Sequence, residues 1–197
     1  LVPPLALFWF FGWKPLERQM DKWTRERIRY MRGAQAEAFV AWLLRELPDT
    51  WHVFHNLPCA KGGDIDHVVV GPGGLFVIST KSYKGHVTRA PSGAIRFNGR
   101  PLDEEMEEAM SLALWVRDRL KATLGNQVPW VQPVLALPLA QVSISPMETP
   151  VWVFDDMALQ ELIATDKPKW KLASGRIGQV AAELDRASEL TCGLSPG

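Results

Sequence analysis

Cysteine is nearly absent from this 197-residue chain: Cys59 and Cys192 stand alone and far apart. No CxxC pair occurs and no Cys/His cluster has zinc-finger spacing. A disulfide scaffold and a zinc finger are both excluded, and a reducing, cytoplasmic setting is expected. Net charge is absent too, with 22 Lys and Arg against 22 Asp and Glu. That balance excludes a histone-like nucleic-acid coat but leaves room for a local basic patch. There are no internal repeats and no low-complexity tract. What is present is ordinary globular material: 47% apolar and 22% charged residues, which rules out wholesale disorder. The length suits one domain that buries roughly 70% of its unfolded surface. Nine tryptophans are many for this length, and some are expected at an interface or a membrane rather than in the core.

The first 13 residues, LVPPLALFWFFGW, carry no charge. They are too few to span a bilayer, which needs about 20, and Pro3 and Pro4 are poor helix-interior material. A basic n-region and a small-residue cleavage site are lacking, so the run does not read as a signal peptide. Seven basic residues follow, Lys14, Arg18, Lys22, Arg25, Arg27, Arg29 and Arg32, against Glu17, Asp21 and Glu26. Two readings stay open for residues 1–30: a hydrophobic arm packed on the domain or on a second subunit, giving a homo-oligomer, and membrane contact at the interface with the basic side cytoplasmic. The chain starts at Leu rather than Met, which leaves room for a longer natural N-terminus.

Residues 14–30 read as a charged helical connector. From Gly33, the run GAQAEAFVAWLLRELPD places Phe39, Val40, Leu43, Leu44 and Leu47 at helical spacing, and Pro48 stops it. Strands are expected at 51–57, 65–70 and 75–80, the last two forming a hairpin across GPGG at 71–74, with further strands in 85–97. Asp103 to Leu124 reads as a long helix whose acidic start suits the helix dipole. Buried strands follow at 130–139, despite Pro133, and at 150–154. A helix capped by Asp155 or Asp156 then starts near Met157, and a last helix covers about 175–190. This predicts an α/β fold with a mixed central sheet flanked by helices. The domains read as an arm at 1–30, a catalytic-type domain at 31–190 and a tail at 191–197.

Polar chemistry concentrates in GGDIDHVVVGPGGLFVISTKSYKG, residues 62–85. Strand alternation places Asp64, Asp66, Val68 and Val70 on one face and His67 on the other. Ser79 and Lys81 share a face, with Thr80 opposite. A tight hairpin brings Asp66 near the Ser79/Lys81 end. Carboxylates beside an ammonium suit a divalent cation and a phosphate: hard oxygens hold the metal, and lysine stabilises a developing oxyanion. The plainer alternative gives Asp64 and Asp66 turn and strand-start roles and leaves Lys81 an exposed strand-end charge. His52 and His55, spaced i, i+3, face opposite sides of a strand and do not make a shared metal site, and His67 reads as structural. GPGG lacks the Gly-Lys-Ser/Thr ending of a phosphate loop, and Ser79 lacks a nucleophile elbow. The glutamate-rich run 104–108 reads as a solvated helix start.

The run GDIDHVVVGPGGLFVISTKSYKG, with GAQAEAFVAWLL upstream and the strand around PVLAL downstream, resembles the nuclease-related domain (NERD) family over residues 31–165. That family's fold is similar to the PD-(D/E)XK restriction-endonuclease superfamily. The resemblance implies Mg²⁺- or Mn²⁺-dependent hydrolysis of DNA. It also implies roles: Asp66 as the metal-binding Asp of the second strand, Lys81 as the Lys of the (D/E)xK element, Glu37 as the Glu of the first helix, and Asp64 as a frequently acidic neighbour. Ser79 departs from it, since the family pattern expects a glutamate there and a hydroxyl is a much weaker metal ligand. Three readings follow. Glu37 and Asp64 complete the metal site without it; the domain binds nucleic acid, or serves as a membrane-tethered scaffold, without cleaving; or a serine was substituted to trap a substrate complex.

Overall fold

The structure is a computed structural model and describes residues 32–59, 63–145, 149–157 and 172–192. The chain divides into two units, Leu1–Gln35 and Ala36–Gly197. Only residues 32–35 of the first are described. The expected arm at 1–13, the whole connector at 14–30 and the residues after 192 therefore lie outside the described residues. No helix among the described residues is long and apolar enough to cross a membrane.

Helix α1 covers residues 32–44, and Ala36, Val40, Leu43 and Leu44 line its buried side. This is the spacing that keeps one helical stripe dry. Strands β1 (His52–Pro58), β2 (Asp64–Gly71) and β3 (Gly74–Thr80) form an antiparallel meander, with the β2–β3 hairpin turning at Pro72 and Gly73. Strand β4 (Gly85–Arg89), β5 (Ile95–Phe97) and the short β6 (Arg100–Pro101) make a second meander. Helix α2 (Asp103–Leu124) then returns the chain to β7 (Val131–Ala136), which pairs parallel with β3. Strand β8 (Ala140–Val142) joins β4, and β9 (Trp152–Phe154) pairs parallel with β7. A helix begins at 156, and α3 (Ser174–Cys192) comes last among the described elements.

The mixed central sheet flanked by helices is present as expected, and among the described residues a second, smaller sheet accompanies it. The main sheet runs β1-β2-β3-β7-β9, and a four-stranded sheet runs β6-β5-β4-β8. Strands β6 and β8 were not legible because each is three residues or fewer, too short to show a period. The main sheet is covered on both faces. One apolar cluster joins Val40, Leu43 and Leu44 of α1 to Val69, Phe76, Ile78, Val134 and Phe154. The other joins Val68, Val70, Leu75 and Val77 to Val116 and Leu120 of α2 and to Val180 and Leu184 of α3. A third cluster seats the second sheet on the start of α2, through Val87, Ile95, Leu102 and Ala109.

Pro133 sits inside β7, where a proline removes a ladder donor. The ladder with β9 begins only at the next residue, Val134 opposite Trp152. Just upstream the buried Gln132 amide donates to the carbonyls of Pro133 (3.0 Å) and Pro150 (2.9 Å), and its oxygen accepts from Trp130 Nε1. A side chain thus supplies the link that the backbone omits.

At the hairpin, Gly71 lies against the Trp51 ring, and a Cβ on it would stand 2.2 Å from Cδ2. Trp51 in turn packs on Phe76, centroids 6.2 Å apart. Gly71→Ala should therefore lower unfolding free energy in urea titration by about 1–3 kcal/mol, the usual cost of overpacking. Adding Trp51→Ala should make the two changes non-additive by more than about 0.5 kcal/mol. Additive effects would show that the ring is not what excludes a side chain at Gly71.

Candidate active site

Alternation along β1 and β2 breaks at one place. Phe54 and Leu57, three residues apart, both pack in the cluster beneath α2 and α3, and so do Ile65 and Val68. A regular strand puts residues three apart on opposite faces. The breaks fall at Asn56, whose φ is 51°, and at Asp66, the two positions that the β1–β2 ladder skips. Asparagine tolerates this left-handed conformation better than most residues. Asp64 therefore does not share a face with Val68 and Val70, because Ile65 does. Asp64 stands exposed at the start of β2, paired with Pro58.

Asp66 is turned toward β3. Its Oδ2 accepts a hydrogen bond from the Thr80 backbone N–H at 2.5 Å. The β2–β3 ladder ends at His67 opposite Ile78, so that N–H has no ladder partner on the β2 side. On its other side β3 is held to β7, with Ser79 opposite Leu135, and the Lys81 N–H donates to the Ala136 carbonyl at 3.0 Å. The residue carrying the lysine is thus fixed by two neighbouring strands.

Lys81 Nζ donates to Glu108 Oε2 of α2 at 2.7 Å. Burial pushes the Asp66 carboxyl up to about 6, against the pull of the Thr80 N–H. Glu37 of α1 and Glu108 add to the rise and Lys81 opposes it. Two further carboxylates from two other elements, Glu37 and Glu108, and the Lys81 ammonium therefore all bear on Asp66. Of the expected set, Lys81 and Glu37 are the residues whose charges bear on the Asp66 carboxyl. Asp64 is not among the charges that shift Asp66. Ser79 is 3% exposed, on the β3 face shared with Leu75 and Val77. Beside it the Thr80 hydroxyl is buried without a hydrogen-bond partner.

The glutamate-rich start of α2 is not simply solvated. Glu105 heads the buried stripe continued by Ala109, Ala113, Val116 and Leu120. Its Oε1 accepts from Tyr83 OH at 2.6 Å and from Arg100 at 2.5 Å, and the Arg100 guanidinium lies over the Tyr83 ring. Burial raises the Glu105 carboxyl, but these two hydrogen bonds outweigh it and hold it below its ordinary range. Glu108 follows one turn later, toward Lys81. The signal was available: a glutamate in register with an apolar helical stripe is drawn out of water with that stripe, and its i+3 neighbour lies on the same side. Nothing comparable in the sequence marks the Thr80 amide.

His67 is buried, and its Nδ1 lies 2.8 Å from Nδ1 of His55 directly across the ladder. Burial and then His55 push His67 down to about 4. The Glu37 main chain pulls the other way, although Nε2 has no aligned partner. His55 thus pairs with His67 rather than with His52.

Among the described residues no group of three or more His, Cys, Asp or Glu side chains is arranged to hold a metal ion. Mg²⁺ asks less: one or two carboxylates, with water and substrate phosphate completing its octahedron. Asp66 and Glu37 are hard-oxygen donors, and the Glu37 charge raises the Asp66 carboxyl, a repulsion that a bound cation would relieve.

The folded-state pKa of Asp66 lies above its ordinary 3.8. The protonated form therefore favours the fold: its contribution is complete below about pH 4 and is lost as pH rises through about 6. Asp66→Asn keeps an acceptor for Thr80 and removes the charge. It should be more stable than the parent at pH 7.5 by on the order of 2 kcal/mol, with the gap closing below pH 4. Urea titrations at the two pH values would decide it, and a variant no more stable at pH 7.5 would contradict the burial account.

The sequence model of one family, the nuclease-related domain (NERD), matches residues 32–138, more than half of the chain. No curated protein matches the chain. The matched span carries α1, the meander with Asp66, the Lys81 segment, the second meander, α2 and β7, and the mixed α/β architecture is restriction-endonuclease-like. The chain belongs to the nuclease-related domain family, within the PD-(D/E)XK context.

Proposed function

We propose that the chain is a metal-dependent nuclease that hydrolyses phosphodiester bonds in DNA, with a site weakened by Ser79. The observation that carries this reading is the Asp66 carboxylate held to the end of β3 by the Thr80 N–H, with Lys81, Glu37 and Glu108 bearing on it and Lys81 paired to Glu108. Asp66 and Glu37 are the residues that would hold Mg²⁺ or Mn²⁺. A divalent ion there supplies polarisation of the phosphoryl oxygen and a more acidic bound water. The protein's own part is positional and electrostatic. The Thr80 N–H fixes one Asp66 oxygen and leaves the other available. Lys81, anchored through its main chain to β7, presents an ammonium to a phosphate oxygen as charge develops. Glu108 holds that ammonium when no phosphate competes for it, and so acts as a positioning residue. Ser79 offers no carboxylate, and its burial leaves little room for one.

A second reading, a nucleic-acid-binding module without cleavage, is favoured by the same buried, neutral Ser79. Nicking of supercoiled plasmid separates the two. With 5 mM Mg²⁺ or Mn²⁺ (about this concentration suffices for weak sites) the parent should nick slowly, and Asp66→Asn and Lys81→Ala should each lose at least ~100-fold, a loss of roughly 2.7 kcal/mol of transition-state stabilisation. Parent activity no higher than that of Asp66→Asn would leave only the binding reading standing. The binding reading would still predict retention of DNA by all three.

Two further outcomes follow from the site. Metal affinity by titration calorimetry should fall as pH drops through about 6, because the Asp66 carboxyl becomes protonated there. Affinity flat from pH 5 to 8 would remove Asp66 from the metal shell. Ser79→Glu should raise nicking by about tenfold or more, since each ~1.4 kcal/mol is tenfold in rate, provided its melting curve shows that the buried carboxylate is tolerated. A folded Ser79→Glu protein that nicks no faster than the parent would show that Ser79 does not limit the site.

A further inference from the structure

Residues 81–101 contain Lys81, Lys84, Arg89, Arg96 and Arg100, together with His86, and no Asp or Glu. In a chain whose charges balance at 22 against 22, this is a strongly one-signed stretch. The fold makes a surface of it. The stretch begins at the lysine of the candidate site and forms β4, β5 and β6, three of the four strands of the second sheet. One face of that sheet is closed by α2, through Val87, Ile95 and Phe97. The other side carries His86 and Thr88 of β4, with Arg96 directly opposite Thr88 and Gln141 opposite His86. His86, Thr88 and Gln141 are exposed and Arg96 is partly so. Lys84 is exposed in the connection between Lys81 and β4. Among the described residues, Glu105 takes Arg100 on the α2 side, and Asp155 accepts from the Val142 N–H at the β8 edge.

We infer that the outer face of the second sheet is a docking surface for the phosphate backbone of duplex DNA, guiding a phosphate to Lys81. This rests on the nuclease reading above and adds to it which surface carries the substrate. Cationic and hydroxyl or amide donors without carboxylates are what phosphate oxygens select. The strip follows Lys81, the lysine that bears on Asp66, in one unbroken basic stretch of sequence. Arg96 is held in place by its own hairpin, donating to the Gly99 carbonyl at 2.6 Å, so less freedom is lost when a phosphate binds.

The test is fluorescence anisotropy of a labelled DNA duplex with the full chain, in EDTA so that no cleavage is needed, across a NaCl series. Lys84→Ala/Arg96→Ala should weaken binding and lower the slope of log K against log salt by about 2, roughly one for each phosphate no longer neutralised. Arg117→Ala on the exposed side of α2, where Arg117 pairs with Asp118, should leave the slope unchanged. Lys84→Ala alone, in an exposed connection, covers the case in which the double variant does not fold, with a slope change of about 1. An unchanged slope in a folded variant overturns the inference. So does a dependence of binding to 30% phosphatidylserine vesicles (on the order of a cytoplasmic leaflet's charge) on Lys84 and Arg96 without any such dependence for DNA. The two readings fail separately. A changed slope with no metal-dependent nicking sinks the nuclease reading and leaves the surface. An unchanged slope with Asp66-dependent nicking does the reverse.

Discussion

The candidate site depends on one hydrogen bond, from the Thr80 backbone N–H to the Asp66 carboxylate. It exists because two strands give up their regular pairing at the same level. The β1–β2 ladder skips Asn56 and Asp66, and the β2–β3 ladder stops one pair short of them. A strand that kept its alternation would leave no backbone donor free beside Asp66. The break also sends Ile65 under α2 and α3, so the apolar core holds the irregularity in place from below. The carboxyl is held in partial burial, with its pKa raised, by packing that has nothing to do with its own chemistry. Such a group favours the fold less when ionised, a cost typical of functional positions.

Charge is sorted along the chain just as sharply. Five basic residues and no acidic one occupy 81–101, and five acidic residues and no basic one occupy 103–108. The acids suit a helix N-terminus. Two of them are tied back across the fold by the preceding bases, Glu108 to Lys81 and Glu105 to Arg100. These ion pairs differ in kind. Glu108 is half exposed and its pairing is weak and exchangeable, which suits a lysine that must turn to a phosphate. Glu105 is almost fully buried, so losing Arg100 or Tyr83 would strand a charge in the core. One pair is therefore built to open and the other to stay closed, and the second sheet is fastened to α2 by the latter.

Much of the architecture was readable because its periods are long enough to see. Helix α2 spans Asp103–Leu124 as expected, and the β2–β3 hairpin turns at the predicted GPGG. Strand β7 survives Pro133 because Gln132 reaches across to Pro150, a contact between residues 18 apart that no local window contains. Strands β6 and β8 are too short to carry a pattern, and β8 pairs with a strand more than fifty residues earlier. That is why the central sheet was legible and the arrangement of the second one was not.

For the site, sequence alone determined the residue types and their order: an aspartate before a glycine turn, a lysine after the next apolar run, and a glutamate on the preceding helix. Those are local facts, set by turn chemistry and hydrophobic run length. Tertiary structure decided which of them meet. It left Asp64 at an exposed strand start, buried Ser79, set His55 against His67, and brought Glu108 from 27 residues away to the lysine. The physical reason is that alternation predicts a face only while a strand stays regular. At Asp66 the strand is not regular, and the partners of a side chain at such a break are chosen by the packing of three elements around it.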